Sequence, residues 1–178
     1  MNTDQSFLIE GGMPLHGTVR CSGAKNSILP LVAAAIAVRD VVTFQNVADI
    51  SDLRSLLALV ETMGVKVVSF ERGELTLDSR GPIEPRVENT NGYSLRGTQT
   101  LVGALLARER RAMLPSLGGC SIGARPIDLH IKGLRAMGTH FEWREGYLIG
   151  QAPSLKPCDV YLDFHSVGAK EQLLIAAA

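Results

Sequence analysis

Apolar residues crowd into a run from Ile28 to Val38, broken only by Pro30. A segment apolar on every side reads as a helix buried all round. Val41-Val-Thr-Phe-Gln45 follows as a strand, and then a helix begins near Ser51-Asp52. In that helix Leu53, Leu56, Leu57, Val60 and Met63 fall on one face. Gly64 stands where a helix commonly stops. Residues 65–70 and 75–77 then make a hairpin about Arg72-Gly73.

The same order recurs. Thr100 to Ala107 forms a second buried helix after the polar Leu95-Arg-Gly-Thr-Gln99, and a strand lies around Ala112-Met-Leu114. A helix from Pro126 to Met137 places Ile127, Ile131, Leu134 and Met137 on one face and stops at Gly138. Residues 140–143 and 147–149 close a hairpin about Glu145-Gly146. A third copy opens at Ser166-Val-Gly-Ala-Lys-Glu-Gln172, with its apolar helix starting at Leu173. The pattern implies an α/β protein of βαβαββ-like units, with buried apolar helices inside and sheets outside. The units are 23–89, 90–157 and the start of a third over 158–178. An end inside an uncapped apolar helix leaves apolar surface uncovered, so the chain is read as a piece of a longer protein. A short protein that completes its core by self-association is the alternative.

Each buried helix follows a polar, glycine-containing segment with a cation: Lys25, Arg96 and Lys170. Units packed about a pseudo-threefold axis would turn some of these helix starts toward one cleft. Exposed N–H groups beside cations suit a phosphate or carboxylate. Lys170 is read instead as a solvated helix-start residue.

Composition narrows the classes. With 178 residues, 46% apolar and 20% charged, the chain is an ordinary globular one with room for one good core. Lysine plus arginine balance aspartate plus glutamate at 18 each, which gives no footprint for nucleic acid or acidic membranes. Cys21, Cys120 and Cys158 are far apart and lack metal-ligand spacing, so no metal and a reducing, cytoplasmic setting are expected. The polar start, Met1-Asn-Thr-Asp-Gln-Ser6, lacks a signal-peptide layout. The run over 28–38 is shorter than the roughly 20 residues a bilayer requires.

The chemistry concentrates in Leu117-Gly-Gly-Cys-Ser-Ile-Gly-Ala-Arg-Pro-Ile-Asp-Leu-His130. Cys120 lies in a glycine-rich loop that runs into a proline-started helix. Pro126 suits the first helical turn, and Arg125 adds charge at the positive end of the helix dipole. A thiol in such a setting ionises below the free value of about 8.5. The plain alternative is a glycine-rich turn around an inert buried cysteine. Arg125, Asp128 and His130 within the same few residues favour the reactive reading.

This loop, with Ser22-Gly-Ala-Lys-Asn26 upstream and Asp163-Phe-His-Ser-Val-Gly168 downstream, closely resembles the UDP-N-acetylglucosamine enolpyruvyltransferase family. The resemblance runs from Phe7 to Ala178. It implies an incomplete inside-out barrel whose active site lies between two domains of three units each. By the resemblance, residues 1–22 are an N-terminal strand segment that belongs with the second domain, and 23–178 an incomplete first domain. It also implies transfer of the enolpyruvyl group of phosphoenolpyruvate to the 3-hydroxyl of UDP-N-acetylglucosamine, with release of phosphate, as the first committed step of peptidoglycan synthesis. Small-molecule substrates are then the partners, and no cofactor is called for. Cys120 matches the proton donor, which fosfomycin alkylates. Lys25, Asn26 and Arg125 match phosphoenolpyruvate-binding positions. Arg96, the run Arg125, Pro126, Ile127, Asp128 and Leu129, and Ser166 and Val167 match contacts to the UDP-sugar. The family's general base and its clamp of second-domain arginines fall beyond Ala178. The piece is therefore expected to be inactive alone, completed by a second domain or by self-association.

The chain departs from the family at Leu117, where many relatives have proline, at Phe164-His165 before Ser-Val-Gly, and at Lys170, where threonine is usual. Two other readings remain: transfer to another nucleotide acceptor, and a non-catalytic module that binds a UDP-sugar. Cys120 argues against a shikimate-phosphate acceptor, whose enzyme lacks the cysteine loop. His16, His130 and His140 are read as surface or hydrogen-bonded residues. Cys21 and Cys158 are read as packing cysteines, Arg108 to Arg111 as a solvated helix end, and Trp143 as core or edge packing.

Overall fold

The computed structural model describes residues 6, 8–88, 96–115 and 127–178. Two copies of one arrangement make up most of it. The first is α1 (Lys25–Val38), β1 (Val41–Gln45), α2 (Ser51–Thr62), β2 (Lys66–Glu71) and β3 (Glu74–Asp78). The second is α3 (Arg96–Glu109), β4 (Arg111–Pro115), α4 (Asp128–Ala136), β5 (His140–Arg144) and β6 (Tyr147–Gln151). A final helix, α5 (Val167–Ala177), opens the third copy. Each full copy carries a three-stranded antiparallel sheet whose last strand is central, in the orders β1-β3-β2 and β4-β6-β5. Among the described residues the sheets do not close into a barrel.

One parallel bridge joins Arg86, in the chain leaving the first unit, to Met113 of β4. There the Val87 N–H donates to the Met113 carbonyl at 2.8 Å and the Met113 N–H to that of Pro85 at 2.7 Å. This bridge fastens the chain leaving the first unit to the second sheet.

The apolar helices pack together, with α3 against both α1 and α5. In α1, Ile28, Leu29, Val32, Ala33, Ala35 and Ile36 are buried, and in α3 every residue from Thr100 to Leu106 is buried. Gly103 permits the α3–α5 approach, since a Cβ there would lie 2.5 Å from the Gln172 carbonyl oxygen. The sheets cover the outside of this layer through Leu75 and Leu77 of β3 and Leu148 of β6. α2 packs on α1 and β2, and α4 on α5 and β5.

The structure corrects several readings. The helix of the third copy starts at Val167 rather than Leu173, because Ser166 caps it by accepting from the Ala169 N–H at 3.2 Å. Neither α1 nor α5 is covered all round: Leu31 and Val38 are exposed on one, Val167 and Leu174 on the other. Arg108 is no solvated helix end but only 6% exposed. It donates to the carbonyls of Ile36 (2.7 Å), Ser79 (2.6 Å) and Gly81 (2.6 Å), which the sequence pattern does not reveal. Cys21 and Cys158 are exposed, not packed. Trp143 is exposed on the edge strand β5. His16 and His140 lie on the surface, and His130 is buried and hydrogen-bonded.

Candidate functional site

Lys25 and Asn26 form the first turn of α1, which therefore begins ahead of the apolar run. Their own N–H groups have no intrahelical acceptor, and Ala24 at the N-cap supplies no side-chain cap. Pro30 has no N–H to donate to the Asn26 carbonyl four residues back. The first turn thus keeps free donors beside a cation, the local chemistry of an anion site.

Gly23 fixes where this turn sits. A Cβ there would lie 1.9 Å from the Asn46 carbonyl oxygen, so only glycine lets the chain pass against the β1–α2 connection. That approach brings Lys25 onto Asp52, in the first turn of α2, and the two form an ion pair. Both side chains remain partly exposed, at 53% and 35%, so the pair is open to exchange with a bound anion. Asp52 was readable in the sequence only as a helix-start acid. Its pairing with Lys25 depends on a crossing between two helices that no local motif encodes.

α3 packs on α1, and α3, α4 and α5 together line one cleft. α1 and α3 run side by side, and their C-terminal ends are fastened by hydrogen bonds from Arg108 to the Ile36 carbonyl and from Arg39 to the Arg108 carbonyl. Their first turns, with Lys25 and Arg96, accordingly lie at one end of the layer. Gln99 of α3, Ile127 and His130 of the α4 start, and Gln172 of α5 line a single cleft. Gly168, in the first turn of α5, lies against the His130 ring.

The proposed contact residues divide into three groups. Cys120, Arg125 and Pro126 lie outside the described residues, as does Leu117. Arg96 opens α3. Ile127 is half-buried at the α4 N-cap, Asp128 is exposed, and Leu129 is buried in the core, so only its backbone is available to a ligand. The Ser166 hydroxyl is engaged in capping, and Val167 beside it is exposed. Phe164, His165 and Lys170 are all exposed.

Two further interactions shape this end. Lys132 of α4 donates to Asp163 at 2.7 Å, tying α4 to the segment that leads into α5. The lysine holds the Asp163 carboxyl below its usual range, through the hydrogen bond first and then the charge. Burial pushes the His130 imidazole below its usual value, and the hydrogen bond to Gln172 opposes this without overcoming it. Among the described residues, no three histidine, cysteine or acidic side chains group as metal ligands, and no helix is long and apolar enough to cross a membrane.

Comparison with known proteins places this geometry in context. Residues 9–178 match the family described as EPSP synthase (3-phosphoshikimate 1-carboxyvinyltransferase). UDP-N-acetylglucosamine 1-carboxyvinyltransferase of Coprothermobacter proteolyticus is 43% identical over 179 residues, covering 97% of this chain and 40% of the relative. The protein of the same name from Lawsonia intracellularis is 43% identical over 173 residues, covering 97% and 41%. The chain thus spans about two fifths of the length of these curated relatives. Among solved structures, the enolpyruvyl transferase NikO from Streptomyces tendae superposes with a TM-score of 0.72 at 23% identity, covering 94% of this chain and 40% of that one. EPSP synthase from Acinetobacter baumannii gives 0.64 at 20% identity, covering 90% and 38%. At these identities the structural matches establish the shared fold.

Proposed function

Since the chain belongs to the EPSP synthase family, we propose that it is the N-terminal portion of an enolpyruvyltransferase that uses UDP-N-acetylglucosamine as acceptor. The observation that carries the reading is the uncapped first turn of α1, where Lys25 and Asn26 offer a cation and free N–H groups to an anion. The 43% identity to UDP-N-acetylglucosamine 1-carboxyvinyltransferases supports this acceptor over shikimate phosphate.

In the proposed reaction the Cys120 thiol gives a proton to C3 of phosphoenolpyruvate, and the sugar 3-hydroxyl adds to C2 and loses its proton to a base. The tetrahedral phosphate ketal then gives up a C3 proton and expels phosphate, leaving the enolpyruvyl ether. Lys25, Asn26 and Arg125 hold the phosphate and carboxylate as charge shifts between them. Such preorganised donors act on the transition state more than on the ground state. Arg96, Arg125 to Leu129, Ser166 and Val167 hold the UDP-sugar. Lys25 exchanges its Asp52 partner for the substrate anion.

The general base and the opposing cations are assigned to the part of the relatives that this chain does not match. Residues 1–22 join that part, and the complete enzyme works in the cytoplasm, in cell-wall synthesis. Loss of a general base alone typically slows a reaction about a hundred- to ten-thousand-fold, and an open cleft also leaves water to screen the charges present.

Phosphate release from phosphoenolpyruvate tests the reading. The chain alone should release none above background. The chain joined to the missing three fifths should release phosphate only when UDP-N-acetylglucosamine is present, and Cys120→Ser should abolish that release. Release driven instead by another nucleotide or by shikimate phosphate would overturn the acceptor assignment. UDP-sugar binding without any turnover by the joined chain would leave a binding module.

A further inference from the structure

His130 and Gln172 form a hydrogen bond within the apolar layer, where the imidazole is 8% and the amide 2% exposed. Around them stand Val102, Leu114, Ile131, Leu134, Phe141 and Leu148. An apolar pair of similar volume would hold α4 against α5 at least as well, because a buried hydrogen bond adds little net stability over hydrophobic packing. What a polar pair adds is a fixed register: α5 cannot slide or turn on α4 without leaving a buried donor and acceptor unmatched. Gly168 admits the ring, since a Cβ there would lie 3.3 Å from the imidazole Cε1. Gly133 admits Leu173 from the other side, where a Cβ would lie 2.6 Å from the leucine methyl.

The position of the pair matters more than its strength. His130 follows Ile127, Asp128 and Leu129 directly, and Gln172 sits in α5 one to two turns after Ser166 and Val167. These are the two segments that the reading above places on the UDP-sugar, and they come from different units. We infer that His130 and Gln172 are positioning residues that lock the two sugar-nucleotide-binding segments in register. The inference rests on that reading of the acceptor. Neither side chain touches ligand. Each acts through the backbone it carries, so breaking the pair should loosen the grip on the UDP-sugar without dissolving the fold.

The test is an NMR titration of the chain with UDP-N-acetylglucosamine, following the amides of Asp128, Leu129, Val167 and Gly168. Gln172→Met keeps the volume and removes the acceptor, whereas Gln172→Glu keeps an acceptor for the imidazole N–H. The unaltered chain should show shifts in both segments. Gln172→Met should bind about tenfold more weakly at a temperature where it is fully folded, and Gln172→Glu should stay within about threefold of the unaltered chain. His130→Phe combined with Gln172→Met should be no weaker than either alone, because the second change removes nothing further. Equal affinity in Gln172→Met and the unaltered chain, or equal loss in the Met and Glu variants, would overturn the positioning role while leaving the acceptor assignment intact. Shifts in neither segment of the unaltered chain would overturn the acceptor assignment, and the inference with it.

Discussion

The two complete units share one scaffold and differ most in one connection. α1 and α3 are both 14 residues long, and each begins with a cation, Lys25 or Arg96. Each is followed by an arginine in the left-handed region, Arg39 and Arg110, both at φ 59°. The amphipathic helices give way to Gly64 and Gly138, at φ 107° and 97°. The hairpins turn at Arg72-Gly73 and Glu145-Gly146, with φ of 50° and 77° in one and 53° and 80° in the other. Between the first strand and the following helix, however, the first unit spans only residues 46–50, whereas the second takes 116–127 and puts the Cys120 loop there. The repeat supplies the helices and sheets, and the longer connection is where the proposed site puts Cys120 and Arg125. Chemistry grafted onto loops held by a rigid frame is a general arrangement.

The largest expected effect comes from erasing that difference. Replacing residues 116–127 by the first unit's 46–50 should leave the helix and sheet signal of circular dichroism in place. It should abolish Cys120-dependent phosphate release in the joined enzyme, a loss of at least about a hundredfold. Release that survives the exchange would show that the chemistry lies elsewhere.

Next in size is the bolt between the units. Arg108→Met removes the donors to the Ile36, Ser79 and Gly81 carbonyls and leaves them buried or half-buried without that partner. Unfolding in urea should show a loss of about 3 kcal/mol. A change below about 1 kcal/mol would mean that these carbonyls find other donors.

Arg108 also shows where reading the sequence stops. Helix faces, hairpin turns and the repeat were legible because they depend on residues a few positions apart, as with Leu53, Leu56, Leu57 and Val60. The Arg108 partners are backbone carbonyls 27 to 72 residues away, and no side-chain pattern announces them. The starts of α1 and α5 escape the apolar pattern for a related reason. Lys25-Asn-Ser27 and Val167 to Gln172 precede or interrupt the apolar run, while backbone and capping bonds already hold them in the helix. In the site, Lys25 and Asn26 stood out through their motif. The Lys25–Asp52 pair did not, because it forms only where Gly23 lets α1 cross the β1–α2 connection.

A smaller effect separates the units by pH. The buried histidine, His130, belongs to the second unit and to its contact with α5. Its folded-state value lies below the ordinary 6.5, with burial the main cause. The unfolded chain therefore binds the proton more readily, and stability is complete above about pH 6.5 and declines as pH falls below it. Urea midpoints measured between pH 7.5 and 5.5 should fall toward acid, and His130→Gln should flatten that fall. An unchanged slope in the variant would assign the acid sensitivity to other groups.

The most direct test of the division between scaffold and chemistry is the alkylation rate of the three cysteines. Cys21 and Cys158 are exposed, so access does not limit them and they serve as internal standards. Brief treatment of the folded chain with iodoacetamide at neutral pH, followed by peptide mapping, reads all three at once. The account predicts that Cys120 is modified several-fold faster than both, through a larger thiolate fraction beside Arg125 and the helix start. Modification of Cys120 at or below the rate of Cys21 and Cys158 would contradict it.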